Sequence, residues 1–455
     1  MILVFVLICC LVPPMFHRSV SAARSQAQTE SQEAADECTE RIRCIDDNIQ
    51  ALEWRLRVIN AAQEKIILST LDFRDDSAGT DIMTALYEAA ERGVQVEILV
   101  DGFTYSMRVP GGSSCTDALA AHPNIEIRSY NPLLFTDLWR INYRLHDKFL
   151  IADEQVYILG GRNTNDLFLG SYIEEYNIDR DVLVYETGSE PGTSLAQLLE
   201  YWEELWNLDT NRAWDAKEAA AYEEEYAAFA AHALALRETY PDAYEETDWA
   251  AETMEVNSVY LISNQTQATG KSPTVFAQIC DLMDGAEDVV IQTPYAVLSH
   301  SMYRELSELT DEGTRIALVL NAVQVKNDNP FGLVDYENQR SRILNTGLEV
   351  YECMNEHLVH TKAVLIDENI CILGSYNLDM RSTYLDTETM LVIDSPQLNA
   401  YLREELTQVT DCAVHVLPDG TKEIGAAYES VTLSVPARIA YTVLRGLMLF
   451  FRYLV

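Results

Sequence analysis

The sequence predicts an α/β protein made of two pseudo-symmetric halves, and three observations carry that reading. Short apolar, β-branched runs alternate with amphipathic helical stretches, the pattern of sheets covered on both faces. The same order of runs occurs twice, about two hundred residues apart, which indicates duplicated domains rather than a solenoid. One polar signature recurs in both series: HDKFLIADEQVYILGGRN at 146–163 and HTKAVLIDENICILGSYN at 360–377. In each, His-x-Lys is followed by Asp five residues after the Lys and by Asn seventeen residues after the His.

The elements follow in order. Residues 1–23, MILVFVLICCLVPPMFHRSVSAA, begin with about sixteen apolar residues, short for a spanning helix and broken by Pro13-Pro14. They read as a signal peptide or short membrane anchor, with SVSAA available as a cleavage site. Residues 24–44 are expected to be an exposed linker. The first half, 45–210, offers the strands KIILSTLDF, QVEILVDG, NIEIRSY, KFLIAD, VYILGG and DVLVYETG. The second, 258–430, offers SVYLISN, DVVIQTPYA, RIALVLNAV, LEVYEC, KAVLID, CILGSY and TMLVID. Helical stretches precede QVEILV and RIALVL and end in Gly93 and Gly313, as a C-cap prefers. Between the halves, 211–257 is read as an acidic helical connector, since residues 215–255 hold twelve acidic and two basic side chains among many alanines. Residues 431–455 reverse the charge, with three arginines and no acid.

Composition narrows the function. A formal net charge of −40 repels phosphate backbones and disfavours broad nucleic-acid binding. Nine cysteines show no C-x-x-C spacing, which argues against a structural zinc. Cys38 and Cys44 are either free thiols or a disulfide, depending on compartment.

The doubled signature points to chemistry at phosphorus. In each copy His and Lys lie two apart at the start of a strand, so both side chains emerge on one face. If the halves pair about a pseudo-twofold axis, His146, His360, Lys148 and Lys362 converge. The ammoniums and the amides of Asn163 and Asn377 then suit the non-bridging oxygens of a phosphodiester. One imidazole attacks phosphorus while the other protonates the leaving alkoxide, giving a phosphohistidine with no need of a metal or other cofactor. Asp181 and Glu388 are candidates to orient the histidines, with Asp179 and Asp386 as neighbouring alternatives. Asp153 and Asp367, ending the apolar strand, are expected to be structural, pairing with a cation or a turn amide. Ser375 offers the phosphate a hydroxyl where the first copy has Gly161. Arg162 either adds a phosphate ligand or pairs with an acid.

These residues resemble the paired HKD motifs of the phospholipase D superfamily, over about residues 45–430. The resemblance implies two phospholipase D-like α/β/α sandwich domains with the active site at their interface. By it His146 would be the nucleophile and His360 the general acid, or the reverse, with Lys148, Lys362, Asn163 and Asn377 on the phosphate. GGRN, the aromatic stretch NPLLFTDLWRINYRLHDK and LDMRSTYLDTE are most similar to bacterial cardiolipin synthases, which transfer a phosphatidyl group between phospholipids such as phosphatidylglycerol. Hydrolysis to phosphatidic acid uses the same machinery, and a nuclease or related phosphodiesterase is a further alternative. The aromatic stretch lengthens the approach to the first His, fifteen residues from Asn131 against six from Met354, as a lip for an amphiphilic substrate or as local packing. Arg438, Arg445 and Arg452, seven apart in ARIAYTVLRGLMLFFRYLV, predict an amphipathic helix lying in a membrane interface with its arginines at the headgroups, or else paired to acids of the protein. The expected partner is a phospholipid in a bacterial cell membrane, contacted through 437–455 and the N-terminus. The extracytoplasmic face is one option for its location.

Overall fold

The computed structural model of the chain describes residues 11–12, 15–30, 38–134, 136–188, 192–326 and 330–455. It divides into two compact units. One comprises Glu33–Leu261 and Thr266–Thr269, the other Met1–Gln32, Ile262–Gln265 and Gly270–Val455.

The first unit is built on strands β1 (Glu40–Ile45), β2 (Lys65–Thr70), β3 (Gln95–Asp101), β4 (Ile125–Tyr130), β5 (Phe149–Ala152), β6 (Val156–Gly160) and β7 (Asp181–Glu186). Two short strands, β8 (Arg212–Ala213) and β9 (Met254–Glu255), complete a sheet of order β9-β1-β7-β6-β5-β2-β3-β4-β8. Strands β2, β3 and β4 are parallel, and β5, β6 and β7 continue the sheet antiparallel. The interior strands are apolar on both faces because helices cover them. Asn48–Ala61 and Ser77–Glu91 bury Leu52, Leu56, Ile82 and Leu86 in one core with Ile66, Ile98 and Leu150.

The second unit repeats this plan. Strands β10 (Asp288–Gln292), β11 (Arg315–Asn321) and β12 (Glu349–Cys353) are parallel, and β13 (Ala363–Ile366), β14 (Ile370–Gly374) and β15 (Thr389–Asp394) run antiparallel in sequence beside β10. The order β15-β14-β13-β10-β11-β12 matches β7-β6-β5-β2-β3-β4 strand for strand, and β16 (Ala413–Val416) and β17 (Lys422–Ile424) extend its far side. The helices before β3 and β11 end at Glu91 and Asp311. Gly93 and Gly313 follow at φ 99° and 113°, a conformation that a side chain would strain.

Several expectations are corrected. Residues 24–44 are not an exposed linker. Arg24, in the helix Val20–Glu30, pairs with Asp281, Asp284 and Glu305, while Val20 and Ala23 are buried. The SVSAA segment therefore runs into a docked helix. Its apolar predecessor lies largely outside the described residues, as do residues 31–37. Beyond them, β1 pairs with β7 along its full length, with Ile42 and Ile45 fully buried. Cys44 lies within this extended strand, which carries it away from Cys38 instead of turning back to disulfide range, and both thiols are free.

The acidic stretch 211–257 is a layer of the first unit, not a solvated connector. Its helix Glu223–Thr239 buries Phe229, Ala233 and Leu236, spaced to fall on one face, while Glu223 and Glu224 are exposed. Charge on one face hid a packed stripe on the other.

The helix Val435–Phe451 forms as expected, but its arginines do not all reach outward. Arg445 bonds Asn338 at 2.9 Å, and Arg452 pairs with Asp335 at 3.2 Å and the Leu298 carbonyl at 2.9 Å. Met448 enters a core cluster with Val323, Leu333 and Val334. The opposite stripe, Val435, Ile439, Val443, Leu447 and Phe450, is exposed and apolar. Among the described residues no helix is long and apolar enough to cross a membrane.

Candidate active site: two matched half-sites

In the first unit, Lys148 stands immediately before β5 and His146 two residues earlier, both buried. The Lys148 ammonium donates to the carbonyl of His146. In the second unit, the Lys362 ammonium, 1% exposed, donates to the carbonyl of His360 and lies 2.5 and 3.1 Å from that ring's Nδ1 and Nε2. A buried ammonium is costly unless hydrogen bonds and charged partners offset its desolvation.

Asn163 and Asn377 follow β6 and β14. Both amides are buried, and in both the Oδ1 atom has no hydrogen-bond partner among the described residues. A buried polar atom left unmatched at the same place in two copies marks polar capacity kept for something other than the fold.

The glycines of GGRN and GSYN admit close neighbours, an acid in the first copy and a backbone carbonyl in the second. A Cβ on Gly161 would sit 2.4 Å from the Asp179 carboxylate, and one on Gly374 would sit 2.2 Å from the Thr389 carbonyl. Ser375 Oγ donates to Glu388 at 2.5 Å. The register shows which acids correspond: Gly160 lies opposite Asp181 and Gly374 opposite Met390, so the equivalent of Glu388 is Asp179. Asp181 is corrected from its expected role. Fully buried, it pairs with Arg55 at 2.9 Å and Arg162 at 3.2 Å. Arg162 is likewise not a phosphate ligand. Its guanidinium donates to Asn48, to the carbonyls of Ile45, Asp46 and Asp179, and to Asp181, all inside the first unit.

Asp153 and Asp367 have one job in both units. Each adopts a left-handed conformation, φ 52° and 48°, which Asp tolerates better than most residues. Asp153 accepts the amides of Gln63, Glu64 and Lys65 at 2.6–2.9 Å, and Asp367 those of Glu287 and Asp288 at 2.9 and 3.0 Å. They tie the turn after the motif strand to the start of the first parallel strand. Sequence reasoning missed Ser69 and Gln292, equivalent by register, whose side-chain oxygens are also buried and have no hydrogen-bond partner among the described residues. The aromatic stretch before His146 folds on itself, with the Asn131 amide donating to the carbonyls of Arg140 and Tyr143 at 2.8 Å and Leu133 exposed.

Two α/β units of matching topology, each presenting His, Lys and Asn in the same order, define an enzyme of the phospholipase D superfamily. The chain belongs to the family described as cardiolipin synthase, PLD-like domain, which matches residues 56–206 and 279–410, more than half its length. It is 25% identical over 402 residues to cardiolipin synthase C of Escherichia coli K12, covering 80% of this chain and 83% of that protein. To cardiolipin synthase B of Salmonella typhimurium LT2 it is 26% identical over 391 residues, covering 82% and 81%. Among solved structures, phosphatidylserine synthase of Haemophilus influenzae shares the fold at a TM-score of 0.61 and 16% identity, covering 94% of this chain and 99% of that one.

Proposed function

We propose that the protein is a phosphatidyltransferase that moves a phosphatidyl group from one phospholipid to the hydroxyl of another, through a phosphohistidine. The observation that carries this reading is the duplication itself: each unit supplies one His, one buried Lys and one buried Asn, whose amide NH2 can donate to a phosphate oxygen. Displacement at phosphorus needs a nucleophile and an acid for the leaving alkoxide, so one unit's set is half of what the reaction requires. One imidazole nitrogen attacks phosphorus as the first alcohol leaves with a proton from the other imidazole. That second ring then takes the proton of the incoming hydroxyl as its oxygen displaces the first ring from phosphorus. Lys148, Lys362, Asn163 and Asn377 hold the non-bridging oxygens and offset their growing charge. Names of the relatives support a phospholipid substrate. The protein meets a bacterial membrane, in this reading, through the apolar stripe of Val435–Phe451.

The test is a product assay in mixed vesicles of phosphatidylglycerol and phosphatidylethanolamine, with chain-labelled lipid followed by mass spectrometry. Cardiolipin with released glycerol or ethanolamine is expected. His146→Asn and His360→Asn should each lower turnover by at least about 10²–10⁴-fold. Phosphatidic acid as the only product would make the enzyme a hydrolase, and turnover of neither lipid would sink the assignment.

A further inference from the structure

The residue before each motif histidine is gripped by a buried side chain at the end of the second parallel strand. In the first unit Asp101 Oδ2 accepts the amide of Leu145 at 3.0 Å. In the second, Asn321 Oδ1 accepts the amide of Val359 at 3.0 Å, while its amide nitrogen donates to the Val359 carbonyl at 2.7 Å. Asp101 and Asn321 are both 0% exposed. They are also equivalent by register: Ser69 pairs Leu99 and Phe149, as Gln292 pairs Val319 and Ala363, so two residues further along β3 and β11 fall Asp101 and Asn321. The two copies have diverged in side chain and kept the contact.

We propose that Asp101 and Asn321 are positioning residues for His146 and His360, fixing the backbone one residue before each imidazole. Neither grip is needed to hold the sheet, because β3 and β11 are already paired along both edges. What each adds is a strut from the strand end to the loop that presents the histidine. The first strut does more than the second. Asp101 also pairs with Arg144 at 3.3 Å, and Arg144 donates to the carbonyl of Asn131, where the aromatic stretch begins. The strut in the first unit thus anchors that stretch together with His146, whereas the other side-chain bond of Asn321, to the Pro294 carbonyl at 2.9 Å, ties in the loop after β10. Loss of Asp101 should therefore weaken substrate binding as well as turnover, and loss of Asn321 turnover only.

This inference rests on the two histidines being the reacting groups, and the experiment separates the two ideas. Asp101→Ala, Asp101→Asn, Asn321→Ala and Asn321→Asp are made in the full chain carrying ring-labelled histidine. Steady-state turnover of vesicle phosphatidylglycerol is measured beside the histidine NMR spectrum. The expected result is a kcat loss on the order of 10–100-fold in Asn321→Ala with KM unchanged. In Asp101→Ala kcat should fall and KM should rise. Asp101→Asn and Asn321→Asp keep an acceptor for the amide and should recover most of the lost turnover. In the spectrum, Asp101→Ala should shift the His146 ring signals and Asn321→Ala those of His360, each leaving the other in place. Unmoved ring signals in folded variants would overturn the inference whatever the activity. Shifted signals in a protein that turns over no phospholipid would keep the struts and overturn the proposed reaction.

Discussion

The guanidinium of Arg162 is enclosed by Asn48, Asp181 and the carbonyls of Ile45, Asp46 and Asp179, at 1% exposure. Three of these neighbours, Ile45, Asp46 and Asn48, run from the end of β1 into the start of the helix that follows it, so this one side chain ties that junction to the motif. Replacing it by Met leaves Asp181 with Arg55 as its one ion-pair partner among the described residues and strands several buried carbonyls. Arg162→Met should cost about 3–5 kcal/mol of stability in urea unfolding, while KM of the folded fraction for phosphatidylglycerol stays near wild type. A large rise in KM with unchanged stability would return Arg162 to the phosphate. At Gly161 and Ser375 the copies solve one packing problem differently. A glycine admits the shorter Asp179, and a serine hydroxyl meets the longer Glu388.

At the scale of elements, the helix Val435–Phe451 has two faces with separate duties. Arg445, Arg452 and Met448 bind it to the second unit, and the exposed Val435–Ile439–Val443–Leu447–Phe450 stripe is left for another apolar phase. Each large apolar side chain moved out of water contributes about 1.5–3 kcal/mol. The triple change Ile439→Ser, Val443→Ser and Leu447→Ser should lower binding to phosphatidylglycerol vesicles about tenfold or more, with turnover of a soluble phosphodiester unchanged. Full vesicle binding by this variant would remove the helix from the membrane. The acidic helix Glu223–Thr239 teaches the converse. Its exposed acids dominate its composition, yet its buried Phe229, Ala233 and Leu236 decide where it sits.

For the molecule as a whole, stability responds to pH through buried carboxyls as well as through a charge of −40. Burial, helped by nearby Asp386 and Glu388 and opposed by the Ser382 amide and Arg381, pushes the carboxyl of Asp379 from 3.8 up to about 7. A carboxyl raised in the folded state favours folding while protonated. Its contribution is therefore complete below about pH 4 and is lost as pH rises through about 7. Asp379→Asn keeps an acceptor for the Ser382 amide, which Asp379 bonds at 2.6 Å, and removes the titration. Its Tm should fall less than that of the wild type between pH 4 and 7. Parallel Tm profiles would assign the pH dependence to other groups.

The sequence alone determined the duplication, the six matched strands of each half, the glycine-ended helices and the His, Lys and Asn of both motifs. These are legible because they rest on local periodicity and on spacing within one strand or one helix. Only the tertiary structure decided which acid stands where. Asp179 corresponds to Glu388, and Asp181 belongs to Arg55 and Arg162, because strand register and burial arise from pairing across the sheet. Asp101 and Asn321 were hidden for the same reason. Each is a polar residue ending an apolar strand, and the amide that gives it meaning lies 44 and 38 residues away along the chain. The strand Glu40–Ile45, whose residues ERIRCI carry three charges, reads as exposed until its pairing with β7 along one edge and β9 along the other is known.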